Sequence, residues 1–132
     1  MPAAPFPDTG PTPWIGVFDS GVGGLGVLAH LQRLAPTATL GYLADGAWAP
    51  YGERDAVDLC RRSLAIARWF RRRGAAALVV ACNTATATAI DAVRSAHPGW
   101  PVVGIEPAVK PAVVLTRRGH VGLLATRTTL AS

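Results

Sequence analysis

An acid and a hydroxyl stand directly before a glycine loop in the stretch FDSGVGGLG, residues 18–26. The glycines satisfy G-x-G-x-x-G, the pattern of a loop that holds a dinucleotide pyrophosphate at a helix start, and Asp45 occupies the place of a ribose-binding acid. Asp19 disfavours that ligand, because its carboxylate would repel a pyrophosphate. An amino acid, with an ammonium and a carboxylate, suits the acid and the loop amides together. A tight turn capped by Asp19 or Ser20 is the alternative that needs no ligand.

Cys82 is the second candidate for chemistry, in the stretch VVACNTATATA, residues 79–89. It closes an apolar run and precedes a threonine-rich helical stretch. A thiol at a helix start feels the positive end of the helix dipole and can accept hydrogen bonds from groups of Asn83 and Thr84, which favours the thiolate. Such a thiol can move a proton or attack a substrate, although a small buried residue at a strand end is the simpler alternative. Cys60 is predicted to pack against the sheet from a helix.

Strand-like and helix-like stretches alternate along the chain, which predicts an α/β fold. This order implies βαβ crossovers and a parallel sheet flanked by helices on both faces, and the family resemblance described below implies a Rossmann-like domain. The predicted strands are 14–19, 40–45, 77–82, 100–105 and 120–125, and the predicted helices are 24–35, 53–73, 84–97 and 107–118.

Most of the polar candidates fall at the carboxyl ends of these predicted strands. Ligands of open parallel sheets bind at that edge, so we expect the residues to share one site. They are Asp19, Ser20, Asp45, Cys82, Asn83, Thr84, Glu106 and Thr126.

Composition excludes several other classes of function. The net charge of +5 comes largely from arginines between residues 61 and 73, but no aromatic platform accompanies them, so we predict no nucleic-acid partner. No stretch approaches the roughly 18 apolar residues of a membrane span. Residues 1–13 are proline-rich and unlike a secretory signal, which predicts a disordered leader and a cytoplasmic protein. The two cysteines show no metal-ligand spacing, so no metal site is expected.

The chain resembles the cofactor-independent glutamate racemases of the aspartate/glutamate racemase group. The similarity runs from Trp14 to the last residue and rests on five blocks in the order of that family. These blocks are FDSGVGGL (18–25), APYG (49–52), ACNTAT (81–86), GIEPAVKPA (104–112) and GLLATRTTL (122–130).

This resemblance implies interconversion of L- and D-glutamate, with D-glutamate used for bacterial peptidoglycan and no cofactor required. One thiolate removes the α-proton while a thiol on the opposite face delivers another. Carried onto this sequence, Cys82 is one acid/base thiol and Asp19 assists it. The residues implied to contact glutamate are Asp19, Ser20, Tyr51, Gly52, Asn83, Thr84, Thr126 and Thr129.

The resemblance also predicts a division of the chain into an N-terminal α/β domain, residues 14–99, and the start of a second domain, residues 100–132. The second catalytic cysteine of the family lies in a Cys-Thr-His stretch, and no cysteine follows Cys82 here. We therefore expect the first part of a longer racemase. A catalytically inactive glutamate-binding or regulatory module is the alternative, and a homo-oligomer stays open.

Overall fold

The structure is a computed structural model that describes residues 13–132, so the predicted leader lies outside the described residues except for Pro13. Strands and helices alternate as far as residue 115. In chain order the elements are β1 (Trp14–Asp19), α1 (Leu25–Leu34), β2 (Thr39–Ala44), a 3₁₀ turn (Tyr51–Glu53), α2 (Ala56–Arg72), β3 (Ala75–Val80), α3 (Asn83–Ala96), β4 (Val102–Gly104), α4 (Val109–Leu115) and the one-turn α5 (Arg127–Leu130).

The four strands form one parallel sheet in the order β2-β1-β3-β4. The central strand, β1, pairs with β2 along its whole length and with β3 on its other side. Backbone hydrogen bonds continue past the strand ends, from Ala81 N to Phe18 O at 2.8 Å and from Asp45 N to Asp19 O at 2.9 Å. The predicted α/β fold with a parallel sheet is confirmed, and the carboxyl ends of the strands lie together.

Helices cover both faces of this sheet, and the side chains of β1 alternate between them. Phe18 belongs to the larger apolar cluster, which α2 and α3 complete with residues such as Leu59, Phe70 and Val93. Val17 points to the other cluster, where α1 packs. Because both faces are buried, β1 and β3 are apolar along nearly their whole length rather than alternating with polar residues.

The predicted strand at 120–125 is wrong, because these residues form no strand. A strand needs a neighbour to satisfy its backbone groups, and among the described residues this segment pairs with none. Its apolar side chains stay exposed, with Leu124 fully exposed. The proposed boundary near residue 99 stays a prediction; β4, beyond it, hydrogen-bonds to β3 in the first sheet.

Helix α2 begins three residues later than predicted, after the N-cap Asp55, whose carboxylate accepts hydrogen bonds from the amides of Val57 and Asp58. Its buried face also differs from the prediction that Cys60 packs against the sheet. Val57 is exposed and Cys60 only half-buried, whereas Leu59 and Ser63 are buried. The face of α2 that packs on the sheet therefore contains Leu59 and Ser63, and Cys60 lies at its margin.

Gly16 allows β1 to lie directly against Phe70 of α2. A methyl group added at Gly16 should therefore destabilise the fold, whereas one added at the open position Gly26 should not. A Cβ at Gly16 would lie 2.7 Å from Phe70 Cε1, so Gly16→Ala should lower the free energy of unfolding by about 1–3 kcal/mol through overpacking. Gly26→Ala is the matched control, because a Cβ there meets nothing within 4 Å and alanine favours the helix. Urea denaturation of both variants measures the two effects, and equal stabilities would contradict this packing account.

Candidate functional site

Asp19 is the last residue of β1, at the carboxyl edge of the sheet, and it is buried, with 6% of its surface exposed. Its Oδ2 accepts hydrogen bonds from the amides of Gly21 at 3.1 Å and Gly24 at 3.2 Å. The carboxylate therefore takes up two amides of the glycine loop, which in a dinucleotide-binding loop would face the pyrophosphate. This arrangement opposes the dinucleotide interpretation and leaves a carboxylate at the mouth of the loop.

Cys82 follows β3 and is the N-cap residue of α3. The amide of Ala85 donates to Sγ at 3.4 Å, in the position where a serine or threonine oxygen usually caps a helix. Sγ also lies 3.5 Å from Ser20 Oγ, the hydroxyl that follows Asp19. The thiol is buried, and its Sγ lies at the start of α3 between the amide of Ala85 and the hydroxyl of Ser20.

Three threonine hydroxyls join the start of α3 to the last helix. Thr84 Oγ1 lies 3.0 Å from Thr126 Oγ1, which in turn lies 2.9 Å from Thr129 Oγ1. Thr126 caps α5 by accepting a hydrogen bond from the amide of Thr129. Gly52 packs on this group, because a Cβ there would lie 2.9 Å from Thr126 Cγ2. The structure thus brings the APYG block (49–52) and the GLLATRTTL block (122–130) into contact.

The hydroxyl of Tyr51 points to Asp45, and its predicted contact with substrate stays a prediction. Its hydroxyl donates to Asp45 Oδ2 at 2.6 Å, and its ring is buried beside Phe18. Arg62 holds the same carboxylate through two hydrogen bonds, of 2.8 and 2.6 Å, and lies over the ring of Trp48. Asp45 therefore binds protein side chains rather than a ribose.

This network shifts the pKa values of its members. Burial alone raises the pKa of Asp45, but the hydrogen bonds from Arg62 and Tyr51 outweigh burial and hold that pKa below its usual range. Burial, followed by the hydrogen bond to Asp45, raises the pKa of Tyr51 far above its usual range. Tyr51 thus stays a neutral donor that fixes the turn leading to Gly52.

A cavity of about 440 Å³ brings together six of the predicted site residues: Asp19, Cys82, Asn83, Thr84, Thr126 and Thr129. Ser20, Tyr51 and Gly52 do not line this cavity. Ser20 contacts the thiol, Gly52 packs on Thr126, and Tyr51 turns toward Asp45. A second cavity of about 860 Å³ adjoins it and includes Glu106, but Asp19 and Cys82 do not line it. The candidate carboxylate and the candidate thiol therefore share the smaller cavity.

Residues 13–132 contain no cluster of three or more His, Cys, Asp or Glu side chains that could hold a metal ion. Within the same range, every helix is too short or too polar to span a bilayer.

Comparison with known proteins identifies the family. The sequence model of the Asp/Glu/hydantoin racemases matches residues 15–132. The chain belongs to this family. It is 54% identical over 118 residues to a glutamate racemase of Pseudomonas putida strain F1, covering 89% of this chain and 44% of that protein. A glutamate racemase of Stutzerimonas stutzeri is 52% identical over 118 residues, covering 89% of this chain and 45% of that protein.

Solved racemases show the same fold. The Escherichia coli glutamate racemase, in complex with L-glutamate and the activator UDP-MurNAc-Ala, matches 92% of this chain and 46% of its own with a TM-score of 0.85 and 44% identity. The Thermus thermophilus enzyme, in complex with β-chloro-D-alanine, gives a TM-score of 0.79 at 40% identity, over 93% of this chain and 47% of its own. This racemase-family chain therefore spans less than half the length of the relatives it matches.

Two residues near the racemase-family site were missed by sequence reasoning. Tyr42 donates from its hydroxyl to Gly21 O at 2.8 Å and so contacts the glycine loop. Arg62 was grouped with the exposed arginines of α2, but it forms an ion pair with Asp45, whose side chain is only 4% exposed. Asp45, an acid at the end of a predicted buried strand, was the signal that a cation such as Arg62 should lie nearby. No local sequence pattern marked Tyr42.

The Asp45–Arg62 pair predicts a pH-dependent contribution to stability. Asp45→Asn leaves Arg62 without its carboxylate, and because Arg62 keeps part of its side chain in water we expect a loss of about 2–3 kcal/mol at pH 7. Since the folded pKa of Asp45 is lowered, its contribution is complete above the unfolded value of 3.8 and is lost as the pH falls through the folded pKa.

Urea denaturation of the wild type and Asp45→Asn at pH 7 and pH 3 measures this difference. Asp91→Asn is the control, because Asp91 is 95% exposed and its ion pair with Arg94 is long, at 3.8 Å. A loss that is the same for both variants, or that grows at low pH, would show that the pair does not act as described.

Proposed function

We propose that this chain provides one half of the active site of a glutamate racemase, in which Cys82 acts as one of two acid/base thiols. The observation that carries the proposal is the shared cavity of Cys82 and Asp19, at the carboxyl edge of the sheet. Relatives at 52–54% identity are glutamate racemases, and a solved relative of similar fold binds L-glutamate. The proposed product, D-glutamate, would enter peptidoglycan synthesis in the cytoplasm.

Recognition of glutamate follows from the charges around the cavity. The carboxylate of Asp19 suits the α-ammonium group. The first amides of an α-helix have no acceptor within the helix, so the amides of Asn83 and Thr84, with the threonine hydroxyls, suit the α-carboxylate. These groups converge on one cavity, which matches an α-amino acid better than a phosphate ester.

Proton transfer then depends on stabilising charge, because an α-proton beside a carboxylate is very weakly acidic. As the Cys82 thiolate takes the proton, negative charge moves onto the substrate carboxylate. Donors at the start of α3 and the threonine hydroxyls stabilise that charge without reorganising. Asp19 serves as a second proton acceptor beside the thiol, and no cofactor takes part.

The opposite face of the substrate needs a second acid/base group. Cys60, on α2, lines neither cavity, so the second thiol would come from outside residues 13–132. This requirement agrees with the greater length of the racemases that the chain matches.

A chimera tests this proposal directly. The 118 matched residues of this chain replace the corresponding segment of the P. putida racemase, and racemisation of L-glutamate is followed by polarimetry. We expect an active chimera. Cys82→Ser should lower its kcat by about 10²- to 10⁴-fold, the usual contribution of a positioned acid/base group.

Cys60→Ser is the matched control and should retain the activity of the parent chimera. Circular dichroism spectra establish that each variant is folded. A folded but inactive parent, or a Cys82→Ser variant as active as the parent, would contradict the assignment.

A further inference from the structure

Tyr42, on β2, is connected to the site although it does not line the cavity. Its hydroxyl donates to the carbonyl oxygen of Gly21 at 2.8 Å, across the first turn of the glycine loop. The same loop supplies the two amides that hold the Asp19 carboxylate. Tyr42, on the neighbouring strand, thus fixes the backbone of the same loop that holds the Asp19 carboxylate.

Close packing supports this connection. A Cβ at Gly24 would lie 2.8 Å from Asp19 Cβ and 2.9 Å from both Ala81 Cβ and Tyr42 Oη. The Tyr42 hydroxyl and the Asp19 side chain therefore both pack closely against the backbone of Gly24. The outer part of the loop is less closely packed, because Val22 and Gly23 are exposed.

The electrostatic environment keeps Tyr42 in the form that can donate. Burial raises the pKa of Tyr42, and the negative charge of Asp19 raises it further. At neutral pH the phenol therefore stays protonated and continues to hold Gly21 O.

We propose that Tyr42 is a positioning residue, whose hydroxyl holds the glycine loop so that Asp19 and Ser20 stay beside Cys82. Ser20 directly precedes the carbonyl that Tyr42 binds, and its Oγ lies 3.5 Å from the thiol. Losing the hydroxyl releases the loop at Gly21, which loosens both the amide contacts of Asp19 and the contact of Ser20 with Cys82. The catalytic consequence rests on the proposed racemase function, whereas the structural link does not.

Amide hydrogen exchange on the ¹⁵N-labelled 132-residue chain tests the link without any activity. In Tyr42→Phe we expect the amides of Gly21 and Gly24 to exchange about three- to tenfold faster, which corresponds to the loss of one ordinary hydrogen bond. The amides of Ala81 and Asp45, bonded to β1 outside the loop, should keep their wild-type rates.

Thr116→Val is the matched control, because it also removes a hydroxyl that donates to a backbone carbonyl, that of His120, at 3.0 Å. It should leave Gly21 and Gly24 unchanged. Wild-type exchange at these glycines in Tyr42→Phe, or an equal acceleration at Ala81, would overturn the proposal, since the first shows no link and the second shows general destabilisation.

The chimera described above supplies the catalytic readout. Tyr42→Phe should lower kcat/KM for glutamate about tenfold through misplacement of the reacting groups, and Thr116→Val should not. Faster exchange at the glycines with unchanged kcat/KM would overturn the positioning role. An inactive parent chimera would count against the racemase function alone, because the exchange experiment decides the Tyr42 link independently.

Discussion

The pairing of β1 with β3 is the constraint on which the site depends. It brings the end of one buried strand beside the end of the next, and the hydrogen bond from Ala81 N to Phe18 O continues the pairing up to the functional residues. Asp19 and Cys82, far apart in sequence, consequently line one cavity. The apolar faces of both strands fix their register, because a shift of one residue would move each buried side chain to the opposite face.

The glycine loop has the spacing of a common nucleotide-binding motif but a different arrangement of its amides. Its spacing is that of a dinucleotide site, but Asp19 accepts two of its amides. The loop therefore holds a carboxylate in place. A fixed negative group beside a helix start and a thiol is compatible with the small zwitterion proposed above, and the same charge disfavours the phosphate that the motif alone suggests.

The fold was largely predictable from the sequence, because buried parallel strands are continuous apolar runs and helices between them end at glycine or proline. The failures have physical causes. The run at 120–125 is apolar enough for a strand but pairs with no strand within residues 13–132, and pairing is not a local property. At the site, strand ends predicted Asp19 and Cys82, whereas the orientation of Tyr51 depends on Asp45 and Arg62, whose partnership crosses two elements. Tyr42 was missed for the same reason, since its role arises from a contact between neighbouring strands.

In the proposed function, the edge formed by Asp19, Asn83 and Thr84 recognises glutamate through both of its charged α-groups. The most direct measurement is a titration of the ¹⁵N-labelled chain with glutamate, followed by amide chemical shifts, with glutarate as the ligand that lacks the α-ammonium. We expect saturable shifts for residues 19–24 and 83–84 with glutamate, and much weaker shifts at residues 19–24 with glutarate. Equal shifts with both ligands, or shifts confined to the arginines of α2, would contradict it.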